Sequence, residues 1–386
     1  MSKKTERYPI VSIAAFFHVA GIMGTRPLVP LFARDVGISA SEIGVLVAVF
    51  SLLPLLLAAR VGHWMDSHGT RRVMLWGTLI ASFGLILPML LPGRAGLYGS
   101  QLITGSAFTF FILAAQKTVG TQSSNAWVRE QKVAVYSMGV ALGGFFGPIP
   151  AGFLGEFFGY ERAFLALGLL MLVALFFTQR LPADPAAQVV SATPERRSNP
   201  LQVLAYHQFM GRAFLISSLV LLGKDMYVAY FPIYAVDKGL SASVIGIIIG
   251  LHNGGGVVMR SLLLPLTRHF GKNRVVIFSI LGSGALFLVL PLFQDPILLT
   301  LVSLGIGLGL GLGQPLSMST TIALSPVGKI GETLGLRLSF NRLTQVVTPL
   351  GFGGIVLITG LTGTFTVVGA ILLLGSLRLS IPDSET

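Results

Sequence analysis

The sequence predicts an all-α integral membrane protein with twelve transmembrane helices in two six-helix, pseudo-symmetric bundles. First, hydrophobic residues make up 53% of the 386 residues and charged residues only 11%, whereas a soluble domain has roughly 25% charged residues. Second, apolar runs of about 20 residues, long enough to cross a bilayer, alternate with short polar turns. Third, the second half of the chain repeats the first at a fixed offset.

The apolar runs define twelve predicted spans in chain order. Their ranges are 9–33, 41–60, 73–91, 97–122, 132–156, 163–180, 207–235, 243–266, 275–293, 297–323, 333–358 and 364–380. Lys and Arg concentrate mainly in alternate loops, and Arg337 is counted with the cations of the more positive side. Such a bias marks the cytoplasmic side. We therefore expect both termini in the cytoplasm and a multi-pass protein of a bacterial plasma or inner membrane.

An internal repeat divides the chain into two halves. Pro30, Gly37 and Gly44 align with Pro232, Gly239 and Gly246, an offset of 202 residues. Parallel repeats of this kind occur in transporters built from two related bundles. The Pro-, Ala- and Ser-containing segment between the halves has the composition of a linker. The predicted domains are an N-terminal bundle at 1–180, a cytoplasmic linker at 181–206 and a C-terminal bundle at 207–386.

Composition excludes several classes of protein and site. The chain has no cysteine, which excludes disulfides and thiolate metal sites. The net charge of +12 comes mainly from loop cations rather than a basic stripe, so no nucleic-acid partner is expected. No cofactor, metal site or enzymatic activity is predicted. We expect a monomer whose partners are a small-molecule substrate, protons and membrane lipid.

A glycine-punctuated polar loop separates the second and third predicted spans. Its residues are Gly62, Asp66, Gly69, Arg71 and Arg72. Their spacing resembles the signature loop of the major facilitator superfamily, and the alternative is an ordinary positively charged cytoplasmic loop. The resemblance implies a gating role. Asp66 is then expected to accept hydrogen bonds from the start of the eleventh span and to pair with Arg129 or a loop arginine, since helix N-termini favour carboxylates.

The fifth predicted span has small residues at helical spacing. These are Gly139, Gly143, Gly147, Pro148, Ala151 and Gly152. The pattern resembles the antiporter motif of exporters in that superfamily, which implies that Gly143, Gly147, Pro148 and Gly152 take part in gating. The alternative is a face that lets helices pack closely. Gln101 stands where drug/proton antiporters of the family have arginine, so their proton-transfer scheme is not carried over.

Charged residues inside spans are candidates for function because they are costly in a bilayer. They are Arg26, Lys117, Lys224, Asp225, Arg260 and Arg342. Family resemblance implies that the first, fourth, seventh and tenth helices line a central cavity and that the second, fifth, eighth and eleventh form its sides and gates. Five cations and one acid would make the cavity attractive to an anionic or zwitterionic substrate. Lys117 and Arg342 have a second interpretation, in which they extend to the membrane surface.

Asp225 is the only acid deep in a predicted span, so it is the candidate for proton coupling. The alternative role is a structural ion pair with Arg26 or another span cation. His18 and His252 are weaker candidates, because a satisfied buried histidine is a common structural feature.

Polar and aromatic residues add to the predicted substrate site. Tyr227, Asn253, Gln314 and Asn341 are assigned substrate contacts. Gln345 is a weaker candidate of the same kind, and packing against lipid or other helices is the alternative for Tyr227. The alternating glycines at 305–313 suggest a nucleotide loop, but no strand precedes them and no Lys-Ser/Thr pair follows. We interpret them as part of a proline-broken cavity helix.

These interpretations predict a proton-coupled secondary transporter that exports small amphipathic anionic or zwitterionic compounds by alternating access. An organic-anion importer, symporter or uniporter of the same fold is the first alternative, because the predicted cavity is rich in cations. A lipid scramblase or intramembrane enzyme is a distant alternative. This distant alternative requires a clustered nucleophile and base or a set of metal ligands, which the predicted spans do not contain.

Overall fold

The computed structural model describes residues 7–120, 126–182, 207–326 and 330–379. For 7, 58–63, 66, 67, 126–130 and 330–332 it describes the backbone alone. Every regular element in these ranges is helical. The elements are α1 Arg7–Asp35, α2 Ala40–His68, α3 Thr70–Leu90, α4 Arg94–Gly120, α5 Ala126–Phe146, α6 Pro148–Phe158, α7 Tyr160–Gln179, α8 Met210–Asp237, α9 Ala242–Ser261, α10 Leu263–Phe270, α11 Lys272–Val289, a 3-10 turn Leu290–Leu292, α12 Pro296–Leu310, α13 Gly313–Leu324 and α14 Ile330–Ser376.

Eleven helical stretches in the described ranges are long and apolar enough to cross a membrane. The last of them, Thr333–Ser376, contains 44 residues and is about 66 Å long at the rise of an α-helix. That is roughly twice the thickness of the hydrocarbon core. Gly360 interrupts α14 with φ 68° and ψ −177°, a conformation open to glycine. The stretch therefore supplies two crossings, and the predicted twelve-helix fold is confirmed.

Within the described ranges, three predicted spans are each broken into two helices, and a proline accounts for each break. Pro148, Pro265 and Pro315 have no N–H to donate to the carbonyl four residues earlier. The breaks at Gly147, at Leu262 and between α12 and α13 lie within four residues before these prolines. The last break confirms that the glycine-rich tenth span is interrupted.

The chain folds into two compact units. Among the described residues, the first unit contains those of Met1–Ser39, Val49–Ser191 and Gly239–Gly250. The second contains those of Ala40–Ala48, Ala192–Lys238 and Leu251–Thr386. The start of α2 thus belongs to the second unit and the start of α9 to the first. The domain boundaries derived from the sequence stay a prediction, and most of the predicted linker lies outside the described residues.

In the first unit, α5 packs closely on α1 through glycines. A Cβ atom at Gly139 would lie 2.5 Å from the carbonyl oxygen of Ser12, and one at Gly143 would lie 2.5 Å from that of Phe16. Gly147 makes the same approach to Ala20. Both helices use residues four apart, which lie on one helix face. The small residues therefore allow close packing of α5 on α1, and the gating role implied by the family resemblance stays a prediction.

Candidate substrate and coupling site

Asp225 of α8 belongs to a hydrogen-bonded chain in the second unit. Its side chain is 8% exposed. Gln345 of α14 donates from Nε2 to Asp225 Oδ2 over 3.1 Å, and Arg342 donates from Nη1 to Gln345 Oε1 over 3.1 Å. The amide has one donor end and one acceptor end, and both bonds require this orientation. Gln345 thus connects a cation to a carboxylate.

Tyr227, two residues after Asp225 on α8, forms a packed pair with His252. Tyr227 is 0% exposed, and its ring lies 4.2 Å from that of His252 between centroids. His252 Nδ1 lies 3.0 Å from the carbonyl oxygen of Ser303. A carbonyl only accepts hydrogen bonds, so Nδ1 carries the hydrogen. Tyr227 is thus packed between helices in this structure, and its contact with substrate stays a prediction.

Gln314 and Asn341, both predicted substrate contacts, belong to one buried network in the second unit. Ser217 of α8 donates to Gln314 Oε1 over 3.0 Å and to Asn341 Oδ1 over 2.6 Å as alternative acceptors. Gln314 Nε2 in turn donates to the Ser217 carbonyl oxygen over 2.9 Å. The network joins α8, α13 and α14 beside the break between α12 and α13.

Arg337, counted above with the cations of the more positive side, is the cation of this network and is buried inside α14. It is 8% exposed and lies in the third turn of α14. Nε donates to Ser317 Oγ over 2.8 Å, and Nη2 lies 3.0 Å from the Gln314 carbonyl oxygen and 2.8 Å from its Oε1. These three acceptors compensate for burial of the cation. The available signal was the four-residue spacing of Arg337, Asn341 and Gln345, which puts three polar side chains on one helix face.

Replacing Arg337 with lysine is expected to lower the free energy of unfolding by about 2 kcal/mol. Lysine retains the charge but cannot form the planar fork that reaches Ser317 and Gln314 together, and each lost bond to a buried partner contributes about 1–3 kcal/mol. Thermal unfolding in detergent measures the change. Arg268→Lys on α10 is the control, since Arg268 is exposed. Equal unfolding temperatures for both variants would contradict a stabilising role for the Arg337 fork.

Arg26 and Lys117 lie in the first unit. The Arg26 guanidinium carbon is 4.4 Å from the centroid of the Phe50 ring, a cation–π contact. Lys117 lies in the last turn of α4 and is half-buried. This position fits the interpretation that its ammonium group extends to the membrane surface.

The remaining predicted substrate residues belong to the second unit. Lys224 and Asn253 are half-buried, and Arg260 lies exposed in the last turn of α9. Lys224 is next to Asp225 on α8, so the two side chains point roughly 100° apart.

His18 is buried without hydrogen bonds among the described residues. Its ring stacks on Phe111 with 3.9 Å between centroids, and it is 0% exposed. Neither ring nitrogen has a partner in the described ranges. Gln101 is 2% exposed and its Oε1 also has no partner there. No group of three or more His, Asp or Glu side chains in the described part of the chain is arranged to hold a metal ion.

The predicted gating loop is described in part. Gly69 joins α2 to α3 with φ 84°, which explains why a glycine stands there. Arg71 donates from Nη2 to the Gln179 carbonyl oxygen over 2.6 Å, and Arg72 is exposed. The side chains of Asp66 and Arg129, and the surroundings of Gly62, lie outside the described set. The expected contact of Asp66 with the start of the eleventh span therefore stays a prediction.

Close backbone contacts that the motif analysis did not assign occur at the starts of α2 and α9. In the first unit, a Cβ at Gly246 would lie 3.1 Å from the Gly152 Cα and closer to the Pro148 carbonyl oxygen. In the second unit, a Cβ at Gly353 would lie 2.5 Å from the Ser41 carbonyl oxygen, and one at Gly44 would meet Pro349. In the sequence, the alignment of Gly44 with Gly246 in the internal repeat could have indicated these contacts.

A carboxylate strengthens the contact at α9. Glu156 Oε2 accepts a hydrogen bond from the Ser243 backbone N–H over 2.9 Å. Ser243 is the second residue of α9, whose first-turn N–H groups have no helical partner. Glu156 therefore caps α9 from α6, within the first unit.

The apolar spans, their buried polar networks and their proline breaks define a polytopic helical membrane protein with charged groups in its interior. The chain belongs to the Major Facilitator Superfamily, whose sequence profile matches residues 11–349 and 213–386. It is accordingly a membrane transporter.

Known proteins of this family are similar along most of the chain. Multidrug resistance protein 2 of Bacillus subtilis is 23% identical over 93% of this chain and 91% of its own length. The class E tetracycline resistance protein of Escherichia coli is 26% identical over 88% and 85%. A probable nitrate transporter, NarT of Staphylococcus epidermidis, is 24% identical over 71% and 78%. The first two names confirm the resemblance to the exporter branch.

Solved structures show the same fold. The nucleoside transporter NupG superimposes with a TM-score of 0.80 and 14% identity, covering 97% of this chain and 99% of that one. The peptide transporter POT gives 0.78 and 15%, covering 96% and 93%. At these identities the likeness concerns the fold alone.

Proposed function

We propose that this transporter exports small amphipathic anionic or zwitterionic compounds in exchange for protons, by alternating access. The observation that carries the proposal is the Arg342–Gln345–Asp225 chain, which connects a buried acid to a cation. Relatives named for multidrug and tetracycline resistance support export. The proposal retains bundles at 1–180 and 207–386, both termini in the cytoplasm, and gating by the 62–72 loop and the fifth span.

Gln345 would transmit the protonation state of Asp225 to Arg342. The ionised carboxylate accepts from the amide nitrogen, which turns the amide oxygen toward Arg342. A protonated carboxyl group gains an O–H donor, and donation from it to the amide oxygen requires the opposite amide orientation. The amide nitrogen would then point at Arg342, which has no acceptor to offer. Arg342 would lose this acceptor and change position, which alters the cation available to an anionic substrate.

The direction of this effect separates two coupling modes. Antiport requires that protonation weakens substrate binding, so Arg342 must withdraw from the substrate. If Arg342 instead turns toward the substrate, protonation strengthens anion binding and the protein is a symporter. The excess of cations among the candidate residues favours symport of an organic anion as the second candidate function.

Transport into inside-out vesicles with imposed pH gradients tests the proposal. A panel of anionic, zwitterionic, neutral and cationic amphipathic compounds is offered with the vesicle interior acidic, neutral or alkaline. Export by antiport predicts accumulation that depends on an acidic interior. Accumulation that requires an acidic exterior would establish symport, and accumulation independent of either gradient would overturn proton coupling.

Arg26→Ala is expected to weaken transport of anionic compounds about tenfold and to leave neutral compounds nearly unchanged. Removing one charge-assisted contact to a substrate anion has an effect of this order. Competition assays in liposomes measure the apparent affinities. Arg162→Ala, which removes an exposed positive charge at the start of α7, controls for net charge. Equal losses for both classes of compound in folded Arg26→Ala protein would assign Arg26 a structural role.

A further inference from the structure

A pocket of about 500 Å³ opens at the ends of two helices in the second unit. The beginning of α8 contributes Gly211, Arg212 and Leu215, and the residues after α14 contribute Leu377 and Arg378. Two cations and two leucines thus line one depression. None of these residues belongs to the Asp225 chain or to the Arg337 network.

The lining separates into a cationic part and an apolar part. The Arg212 guanidinium carbon lies 4.8 Å from the centroid of the Phe209 ring, which orients the side chain. Arg378 is exposed, and no atom lies within 4 Å of the position that a Cβ of Gly211 would take. Leu377 is 76% exposed and the neighbouring Leu374 is 66% exposed. The cations therefore lie at an open mouth beside apolar surface.

The position at the end of two spans defines the surroundings of the pocket. α8 begins at Met210 and α14 ends at Ser376, and both belong to membrane-spanning stretches. Exposed leucines at such an end contact acyl chains, while arginines reach the level of the headgroups. Basic pockets between transmembrane helices bind anionic lipid headgroups.

We propose that this pocket binds one anionic phospholipid, with its phosphate between Arg212 and Arg378 and an acyl chain along Leu215 and Leu377. Guanidinium groups suit phosphate because their planar fork donates two parallel hydrogen bonds. A soluble phosphate compound would share the cations but leave the leucines unused. The bound lipid connects the first turn of α8 to the end of α14, and this proposal is independent of the transported substrate.

Native mass spectrometry of the purified protein tests the proposal. The protein is equilibrated in detergent with equal amounts of phosphatidylglycerol and phosphatidylcholine, and the retained lipid is counted. We expect selective retention of phosphatidylglycerol. Arg212→Gln and Arg378→Gln are each expected to lower that retention about fivefold, and the double variant about 30-fold. Arg378→Gln lies beyond the end of α14, so its folding is expected to be unchanged if Arg212→Gln proves unstable.

Arg180→Gln is the matched control. Arg180 also lies at a helix end over an aromatic ring, 4.2 Å from the centroid of Phe176, but it does not line the pocket. Its substitution should leave lipid retention unchanged. Retention that is insensitive to Arg378→Gln, equal retention of phosphatidylcholine, or complete competition by inorganic phosphate would each overturn the proposal, the last by indicating a site for a soluble anion.

Discussion

Asp225→Asn is expected to abolish accumulation of substrate driven by a pH gradient while preserving exchange of substrate down its own gradient. Asparagine keeps the size of the side chain and a hydrogen-bond acceptor for Gln345, but it cannot take up and release a proton. The protein then still alternates between its two access states, but this movement is no longer coupled to proton transfer. In proteoliposomes, the ratio of internal to external substrate should fall to about one under an imposed pH gradient, and counterflow should stay near the wild-type rate.

Two variants sharpen this experiment. Asp237→Asn, at the exposed end of the same helix, removes an equal charge outside the hydrogen-bonded chain and should retain accumulation. Gln345→Leu keeps Asp225 but removes the bridge to Arg342, so it should lower the accumulation ratio if the amide transmits protonation. Full proton-driven transport by Asp225→Asn would place coupling elsewhere, with His18, His252 and Glu156 the next residues to replace.

Gly246→Val is expected to reduce transport to background in a protein that still folds. The space around Gly246 is limited by the backbone of Pro148 and Gly152, which cannot turn aside as a flexible side chain can. A valine there would separate α9 from α6 and disturb the cap from Glu156. If this contact forms and breaks during alternating access, the state that contains it becomes inaccessible. Overpacking typically costs about 1–3 kcal/mol, enough to shift a balanced equilibrium about 5-fold to 150-fold.

Adjacent glycines on α14 provide a matched pair for the corresponding contact in the second unit. A methyl group at Gly353 would lie 2.5 Å from the Ser41 carbonyl oxygen, whereas one at Gly354 would have no atom within 4 Å. Gly353→Ala should lower transport about tenfold. Gly354→Ala should preserve transport and raise thermal stability slightly, because alanine favours a helix by about 1 kcal/mol.

Labelling of introduced cysteines distinguishes an effect on gating from an effect on folding. Single cysteines can be introduced without background labelling because the sequence has none. Accessibility at the start of α9 should increase in Gly246→Val and at the start of α2 in Gly353→Ala. Unchanged accessibility together with normal transport in both variants would contradict a role for these contacts in gating.

The sequence predicted several residues of the candidate site but not the hydrogen bonds that join them. Asp225, Gln314, Asn341 and Arg342 were selected because a polar side chain inside an apolar span demands an explanation. Their partners were not predictable from that rule. Gln345 reaches Asp225 across 120 residues of sequence, and whether it does so depends on how α8 and α14 are rotated against each other.

Arg337 is a second residue whose partners could not be predicted from the sequence. Its proximity to the predicted end of a span suggested a surface cation. Burial became possible because Ser317 and Gln314, on a different helix, supply its acceptors. The free-energy cost of burying a cation depends on these partners. A local sequence pattern does not reveal them, because they lie on a different helix.

The sequence by itself determined the membrane class, the twelve spans, the internal repeat and the family resemblance. These follow from local properties, since the length of an apolar run is matched to the bilayer and a proline or glycine alters the backbone where it stands. Only the tertiary structure decided that Gln345 joins Asp225 to Arg342, that Arg337 is buried, and that Gly246 and Gly353 lie against another helix. Those outcomes depend on non-local contacts. The atoms that pair with a buried charge, or that limit the space around a glycine, come from distant parts of the chain and are brought within a few ångströms only by the fold.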